Sequence, residues 1–329
     1  MPIQLDDYIQ RLPKTETHLH LEGALPWELL QTLDPVRYAQ TPPWWEDDFR
    51  FDSFAHFEGD LLNAAFAWYT SPERYHEAAK LVFCRHQEQN VRYVETSFAS
   101  GVIEFLGLDG PAIAEAIKSA APEGLTVRVF MGIHRNGYTD SSRAALDSCH
   151  QWKHLDGIDL HGTETLPLEA WASPLWQRLR DAGKAVKAHT GEFCGPGQVR
   201  EIVEALGVKR IEHGVRAIED PAVVDFLREQ GVALDVCPIS NVKLRVSPDY
   251  ASHPLPRLMQ AGLVCTLSTD DPLMFGNRIN DEYRVAAEEM GLDRTALALL
   301  ARNGFSVALI DAAEKARHLA DLESIIYGR

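Results

Sequence analysis

The chain has 329 residues, 45% of them hydrophobic, which is enough for one large domain or two ordinary ones around a sizeable core. Lys and Arg total 32 against 48 Asp and Glu, and the formal charge of −16 repels a polyanion, so nucleic acid is not an expected partner. No run approaches the ~18 apolar residues of a membrane span, the opening MPIQLDDYIQ is acidic where a signal peptide is basic, and the five cysteines are widely spaced with no CxxC pair; together these predict a cytoplasmic protein with reduced thiols and no membrane partner.

After a short N-terminal helix, β-like runs alternate with longer stretches of helical period. The runs are KTETHLH (14–20), VRYVETSF (91–98), LTVRVFMGI (125–133), LDGIDLHG (155–162), KAVKAHTG (184–191), KRIEHGV (209–215), VALDVCPIS (232–240) and LVCTLSTD (263–270). Between them lie patterns such as PLEAWASPLWQRLRDAG and DPAVVDFLREQG, apolar at helical spacing and ending in Gly. Eight such β/α units predict a TIM (β/α)8 barrel, a single domain over residues 1–329, with more chain than the ~250 residues the fold needs. The surplus lies at 26–90, between the first and second strands, and includes the aromatic-rich PPWWEDDFRFDSFAHFEGDLLNAAFAWY. A loop leaving a strand's C-terminal end lies over the face where barrels keep their sites, so a helical lid insertion is expected there. Phe51, Phe54, Phe57 and Phe66 are candidates for an apolar pocket wall, with Phe54 and Phe57 taken as substrate contacts.

In THLHLEG, His18 and His20 stand two apart, and on a barrel strand that spacing sends both imidazoles to the same, inward face. Two converging imidazoles suit a divalent metal, zinc especially, although two buried and hydrogen-bonded histidines are the plainer reading of the HxH alone. His189 in KAHTGE, His213 in RIEHGV and Asp270 in LSTDDP each end a separate predicted strand, where a barrel gathers its catalytic groups. One zinc on His18, His20, His189 and Asp270 has three nitrogens and a carboxylate, with room for water; His213 is an alternative ligand. Zinc lowers the pKa of a bound water toward ~7 and makes it a nucleophile at neutral pH. Glu192, three residues past His189, is the candidate general acid and base, against the blander reading of a helix N-terminal carboxylate. Asp271 points away from Asp270 if the strand continues, and toward a substrate if the chain turns there.

PKTETHLHLEG, GIDLHGTE, KAHTGE, RIEHGV, CPISN and STDDPLMF follow one another along nearly the whole barrel, and in this order they resemble the adenosine deaminase family, a zinc-dependent branch of the amidohydrolase superfamily. The resemblance implies zinc on His18, His20, His189 and Asp270, Glu192 protonating N1 of a 6-aminopurine, and His213 orienting or deprotonating the water. It further implies that Asp271 contacts N7 and the backbone amide of Gly162 contacts N3. The expected reaction is hydrolytic deamination of an adenine nucleoside, with a small-molecule purine as the partner. Three other readings fare less well. The nucleobase deaminases with HxE and PCxxC lack their second motif here. Binuclear amidohydrolases commonly carry a bridging lysine on the fourth strand, where this chain reads GIDLHG; Lys187, on the fifth, is expected to pair with an interior carboxylate such as Glu16. A non-catalytic metal-binding barrel does not explain Glu192 and Asp271 beside the ligands.

Substrate identity divides the family. Members acting on adenosine usually carry Asp, contacting the ribose 5′-hydroxyl, where this chain has Glu22. Relatives acting on free adenine or on aminodeoxyfutalosine often read HLHLEG, as here, whereas TDDPLMF looks more like the nucleoside branch than the DDPAYFGG of adenine deaminases. Adenine and aminodeoxyfutalosine are therefore the alternatives to a nucleoside. Arg135, in GIHRNGY after the third strand, is the candidate partner for the carboxylate of aminodeoxyfutalosine.

Overall fold

Eight strands run parallel, in sequence order, around one sheet: β1 Lys14–Glu16, β2 Val91–Ala99, β3 Thr126–His134, β4 Gly157–His161, β5 Ala185–Thr190, β6 Arg210–His213, β7 Ala233–Val236 and β8 Val264–Leu267. The coordinates are a computed structural model that describes residues 4–327. The sheet meets itself at its C-terminal rim. There Leu19 bridges Asp270 in parallel, the Asp270 amide donates to His18 O at 3.1 Å, and the His20 amide donates to Asp270 O at 3.1 Å. This is the expected TIM barrel, with one strand in each of the eight predicted runs. The two quoted helical patterns form Ala172–Asp181 and Pro221–Glu229, the second capped by Asp220 accepting from the Ala222 amide at 2.9 Å. No helix among the described residues is long and apolar enough to cross a membrane.

Strand alternation sorts the residues. Ile211, Leu234 and Cys265 face outward and are fully buried in the apolar layer beneath the helices. The inward positions are polar: across neighbouring strands Asp159 stands beside Lys187, His189 beside Glu212, Glu212 beside Asp235, and Asp235 beside Thr266. Lys187 Nζ lies 2.6 Å from Glu95 and 2.9 Å from Glu212, and Arg210 lies 2.6 Å from Asp235. Ion pairs therefore fill an interior that branched apolar side chains fill in many barrels. The expected pairing of Lys187 with Glu16 is corrected. Thr17 faces the axis, its hydroxyl 3.0 Å from Asp235, so Glu16, one residue earlier, faces outward to Thr269 at 2.8 Å and His86 at 3.3 Å.

Before β1 runs α1 (Leu5–Arg11), and between β1 and β2 come α2 (Trp27–Leu33), α3 (Phe54–Trp68) and α4 (Pro72–Glu88). Helix α4 starts at Pro72 and buries Tyr75, Ala78, Ala79, Val82, Phe83 and His86, a stripe at helical spacing, against β2 and the outer helices. It takes the place of the crossover helix that leads into β2. The rest lies on the C-terminal face. The indole N–H groups of Trp44 and Trp45 both donate to Leu273 O, at 3.0 and 2.7 Å, and the Tyr69 hydroxyl donates to Leu21 O at 2.6 Å. Phe57 stacks on Phe275 with centroids 5.5 Å apart. After β2 follows the short α5 (Gly101–Leu106).

Candidate active site

β1 and β8 stop short of the residues that matter, whereas His189 lies within β5 and His213 ends β6. β1 is regular only to Glu16, yet the bridges of Leu19 to Asp270 and of His20 to Ser97 carry the chain to the rim with His18 and His20 on one side. Asp270 and His213 have φ of +65° and +66°, left-handed backbone that costs a side-chain-bearing residue of order 1–3 kcal/mol. At Asp270 the two rim hydrogen bonds hold this conformation, and the turn swings Asp271 round into the cavity beside Asp270. Gly23 makes room for it: a Cβ there would lie 1.6 Å from the Asp271 carboxylate.

Three imidazole nitrogens converge. His18 Nε2 lies 3.3 Å from His20 Nε2 and 3.0 Å from His189 Nε2, and the latter two are 3.1 Å apart. Asp270 Oδ1 is 3.1 Å from His18 Nε2 and 3.3 Å from His20 Nε2. The other nitrogen of each ring is engaged: His20 Nδ1 with Ser97 Oγ at 2.9 Å, His189 Nδ1 with Asp159 and Glu212 at 3.0 Å each, and His18 Nδ1 with Asp235 O at 3.4 Å. Donation from Nδ1 leaves a lone pair on every Nε2, and lone pairs this close repel unless a cation sits among them. Four donors around a tetrahedral zinc at ~2.1 Å stand about 3.4 Å from one another, close to the spacing found. His18, His20, His189 and Asp270 thus fit a metal ion. His213 is more remote, its Nε2 3.7 Å from Asp270 and 3.6 Å from Glu192, although it falls with His18, His189 and Asp270 inside a 4.8 Å group.

Beside the cluster a cavity of about 550 Å³ opens at the barrel's C-terminal end. Glu22, Gly162, Glu192, His213 and Asp271 line its inner part; Phe54, Phe57 and Phe66 of α3 and Phe105 of α5 line its outer part. Glu192 is 6% exposed, and its Oε1 has no hydrogen-bond partner among the described residues. Burial, reinforced by the Asp270 and Glu164 carboxylates, pushes its carboxyl well above the ordinary range. Burial and Asp270 do the same to Asp271, whose Oδ1 is also without a partner. Glu22 is less free. Its Oε1 accepts from the Tyr75 hydroxyl at 2.6 Å and from the Ala99 amide at 3.0 Å.

Two expectations for side chains change. Arg135 does not line the cavity: it is 2% exposed and donates to His189 O at 3.1 Å, because the turn after β3 carries its guanidinium behind β5. Phe51 packs among Phe49, Phe57 and Phe275 away from the cavity. Other residues escaped the reading of the sequence. His134 and His161 line the cavity from the ends of β3 and β4, and their strand-end position was the signal available. Glu164, in the quoted GTE, accepts from the backbone amides of Gly191, Glu192, Phe193 and Cys194 at 2.5, 3.2, 2.5 and 3.1 Å, and so clamps the turn that carries Glu192. Nothing local in the sequence announces that clamp.

A parallel barrel with three imidazoles and a carboxylate at its C-terminal rim fits the class of metal-dependent hydrolases. The sequence profile of the adenosine deaminase family matches residues 13–325, and the chain belongs to that family of hydrolytic deaminases. Among its relatives are an adenine deaminase of Streptomyces coelicolor, 31% identical with 97% of both chains covered, and one of Cupriavidus necator, 34% identical over 97% of this chain and 93% of that one. The crystal structure of adenine deaminase from Arthrobacter aurescens superposes with a TM-score of 0.85 at 26% identity, covering 96% of this chain and 99% of that one.

Proposed function

We propose that the protein converts free adenine and water to the 6-oxopurine and ammonia. The carrying observation is that relatives 31% and 34% identical, matched over 97% of this chain, are adenine deaminases. This favours the alternative over the nucleoside first expected. Glu22 supports the same reading, since the Tyr75 hydroxyl and the Ala99 amide already occupy one of the carboxylate oxygens that a ribose would use.

His18, His20, His189 and Asp270 would hold one zinc ion, which when bound would supply the Lewis acidity that makes water nucleophilic near neutral pH. Glu192, whose carboxyl burial pushes above its ordinary range, is placed to donate to purine N1 and thereby draw electrons from C6. Asp271, whose carboxyl is pushed up in the same way, is placed to donate to N7, and the Gly162 amide to N3. Gly162 has φ +81°, and a Cβ there would lie 2.5 Å from His134 Nδ1, so this backbone position excludes any side chain. Water oxygen bonds to C6 and the C6–N6 bond breaks. Of the two water protons, one leaves with the amine as ammonia and the other restores Glu192. The cavity wall of Phe54 and Phe57 limits the access of bulk water.

The test is ammonia release from adenine, adenosine, deoxyadenosine, methylthioadenosine and aminodeoxyfutalosine, compared by kcat/KM. Adenine is expected to lead. A nucleoside turned over faster than adenine would overturn the assignment.

A further inference from the structure

A neutral His213 can face the cavity with either of two tautomers, and the tautomer decides what it can do. A bare Nε2 accepts a proton; an Nε2–H donates a hydrogen bond and leaves proton acceptance to a carboxylate. The groups behind the ring distinguish the two. The backbone N–H of Leu255 is only a donor, and it points at His253 Nδ1 from 3.1 Å, so Nδ1 is bare and the hydrogen of neutral His253 is on Nε2. That Nε2 lies 3.2 Å from Asn241 Oδ1, which occupies the amide oxygen as acceptor. The amide's Nδ2 must then donate, and it lies 3.2 Å from His213 Nδ1. His213 Nδ1 accepts, and its hydrogen is on Nε2, the atom facing Glu192 and Asp270 at 3.6 and 3.7 Å.

We propose that the chain Leu255 N–H, His253, Asn241 locks His213 in the Nε2–H tautomer, which makes Asn241 and His253 positioning residues and His213 a hydrogen-bond donor, not the base. Every member is fixed. Asn241 is fully buried and His253 is 2% exposed. Asn241 sits in the helix Pro238–Lys243, with its amide donating to Cys237 O at 2.9 Å and its carbonyl accepting from Ser247 at 3.0 Å. The His253 amide donates to Tyr250 O at 3.1 Å. A flipped Asn241 would set its NH2 against the His253 N–H, leaving two buried donors face to face. Burial also lowers the His253 pKa to about 4, which keeps the ring neutral near pH 7. The adjacent Ser240 donates to Asp270 at 2.7 Å, so one helix start steadies both His213 and a cluster carboxylate.

The inference rests on the place beside the attacking water that the family resemblance implies for His213, yet its readout does not require turnover. Full-length, zinc-loaded protein labelled with 15N-histidine is compared with the His213→Asn spectrum to assign the ring. A protonated-type signal for Nε2 and a bare-type signal for Nδ1 are expected; the reverse, or an equal mixture, overturns the proposal. Asn241→Asp turns the relay round, because a carboxylate accepts from both sides and draws the hydrogen to Nδ1. Reversal of the 15N pattern is expected, with kcat down ~100-fold or more and KM and zinc content unchanged. An unreversed pattern, or wild-type kcat after reversal, sinks it. His253→Leu frees the amide to rotate and should give both tautomers; a single unchanged one removes His253 from the relay. Failure of the adenine assignment would appear in the substrate comparison and leave the 15N pattern as it is.

Discussion

The barrel holds two charged layers built from the same kinds of residue, and they behave as opposites. In the deeper layer each cation meets more than one carboxylate: Lys187 faces Glu95 and Glu212, and Arg210 faces Asp235 at 2.6 Å and Glu95 at 3.3 Å. At the rim, donors crowd without partners. Three Nε2 atoms stand within 3.3 Å of one another, and Glu192 Oε1 and Asp271 Oδ1 accept nothing from the described residues. Buried polar groups are normally satisfied, so the deep layer reads as scaffold and the rim as a place prepared for an ion and a substrate. His189 joins the layers, presenting Nε2 to the rim while Nδ1 is held by Asp159 and Glu212.

Removing the ion tests the rim most severely. Exhaustive chelation is expected to abolish ammonia release, and one equivalent of zinc per chain to restore it. Two equivalents by metal analysis would break the mononuclear site, and full activity without metal would break the contrast between the layers. Next in size is Glu192→Gln, nearly isosteric but unable to donate an acidic proton. It should keep the zinc and lose ~100 to 10,000-fold in kcat. A loss under tenfold at equal metal content would make Glu192 another scaffold carboxylate.

The deep layer is tested by stability. Lys187→Met leaves Glu95 and Glu212 buried without their shared cation, a change that costs about 3–5 kcal/mol when one partner of a buried pair is removed. Urea unfolding of the metal-loaded protein should show that loss, while the folded fraction keeps kcat within a few fold. If stability were unchanged and turnover collapsed, Lys187 would belong to the chemistry.

The rim was more legible in the sequence than the layer beneath it. HxH at two-residue spacing and single residues ending strands are local patterns, so His18, His20, His189, His213 and Asp270 could be named from periodicity before any contact was known. Whether Lys187 meets Glu16 or Glu95 depends on the facing of β1 and on which strands lie opposite, which no local pattern carries. Glu164, Asn241 and His253 were missed for a related reason. Each acts on a segment 27 or more residues away, or through another side chain, as when Glu164 gathers the amides of 191–194 or Asn241 reaches His213. Arg135 misled because strand-end position sets where a residue starts, while the turn that follows decides where a long side chain goes.

Glu22 shares features of both layers and gives the smallest and most discriminating effect. It lines the cavity, as a substrate contact should, yet its Oε1 is engaged like a scaffold atom by Tyr75 and Ala99. Burial raises its pKa, so part of what Gln lacks, the negative charge, is already disfavoured in the native protein. The amide oxygen of Gln can still accept from Tyr75 and from the Ala99 backbone. Glu22→Gln should therefore change kcat/KM for adenine by less than tenfold, under about 1.4 kcal/mol. With a nucleoside the outcome separates the readings, because a carboxylate that held the sugar would lose a charged hydrogen bond of about 1.5–3 kcal/mol, roughly 10 to 150-fold. Equal, small effects on adenine and adenosine would keep Glu22 with the scaffold. A large loss confined to adenosine would assign it to substrate and return the protein to the nucleoside branch.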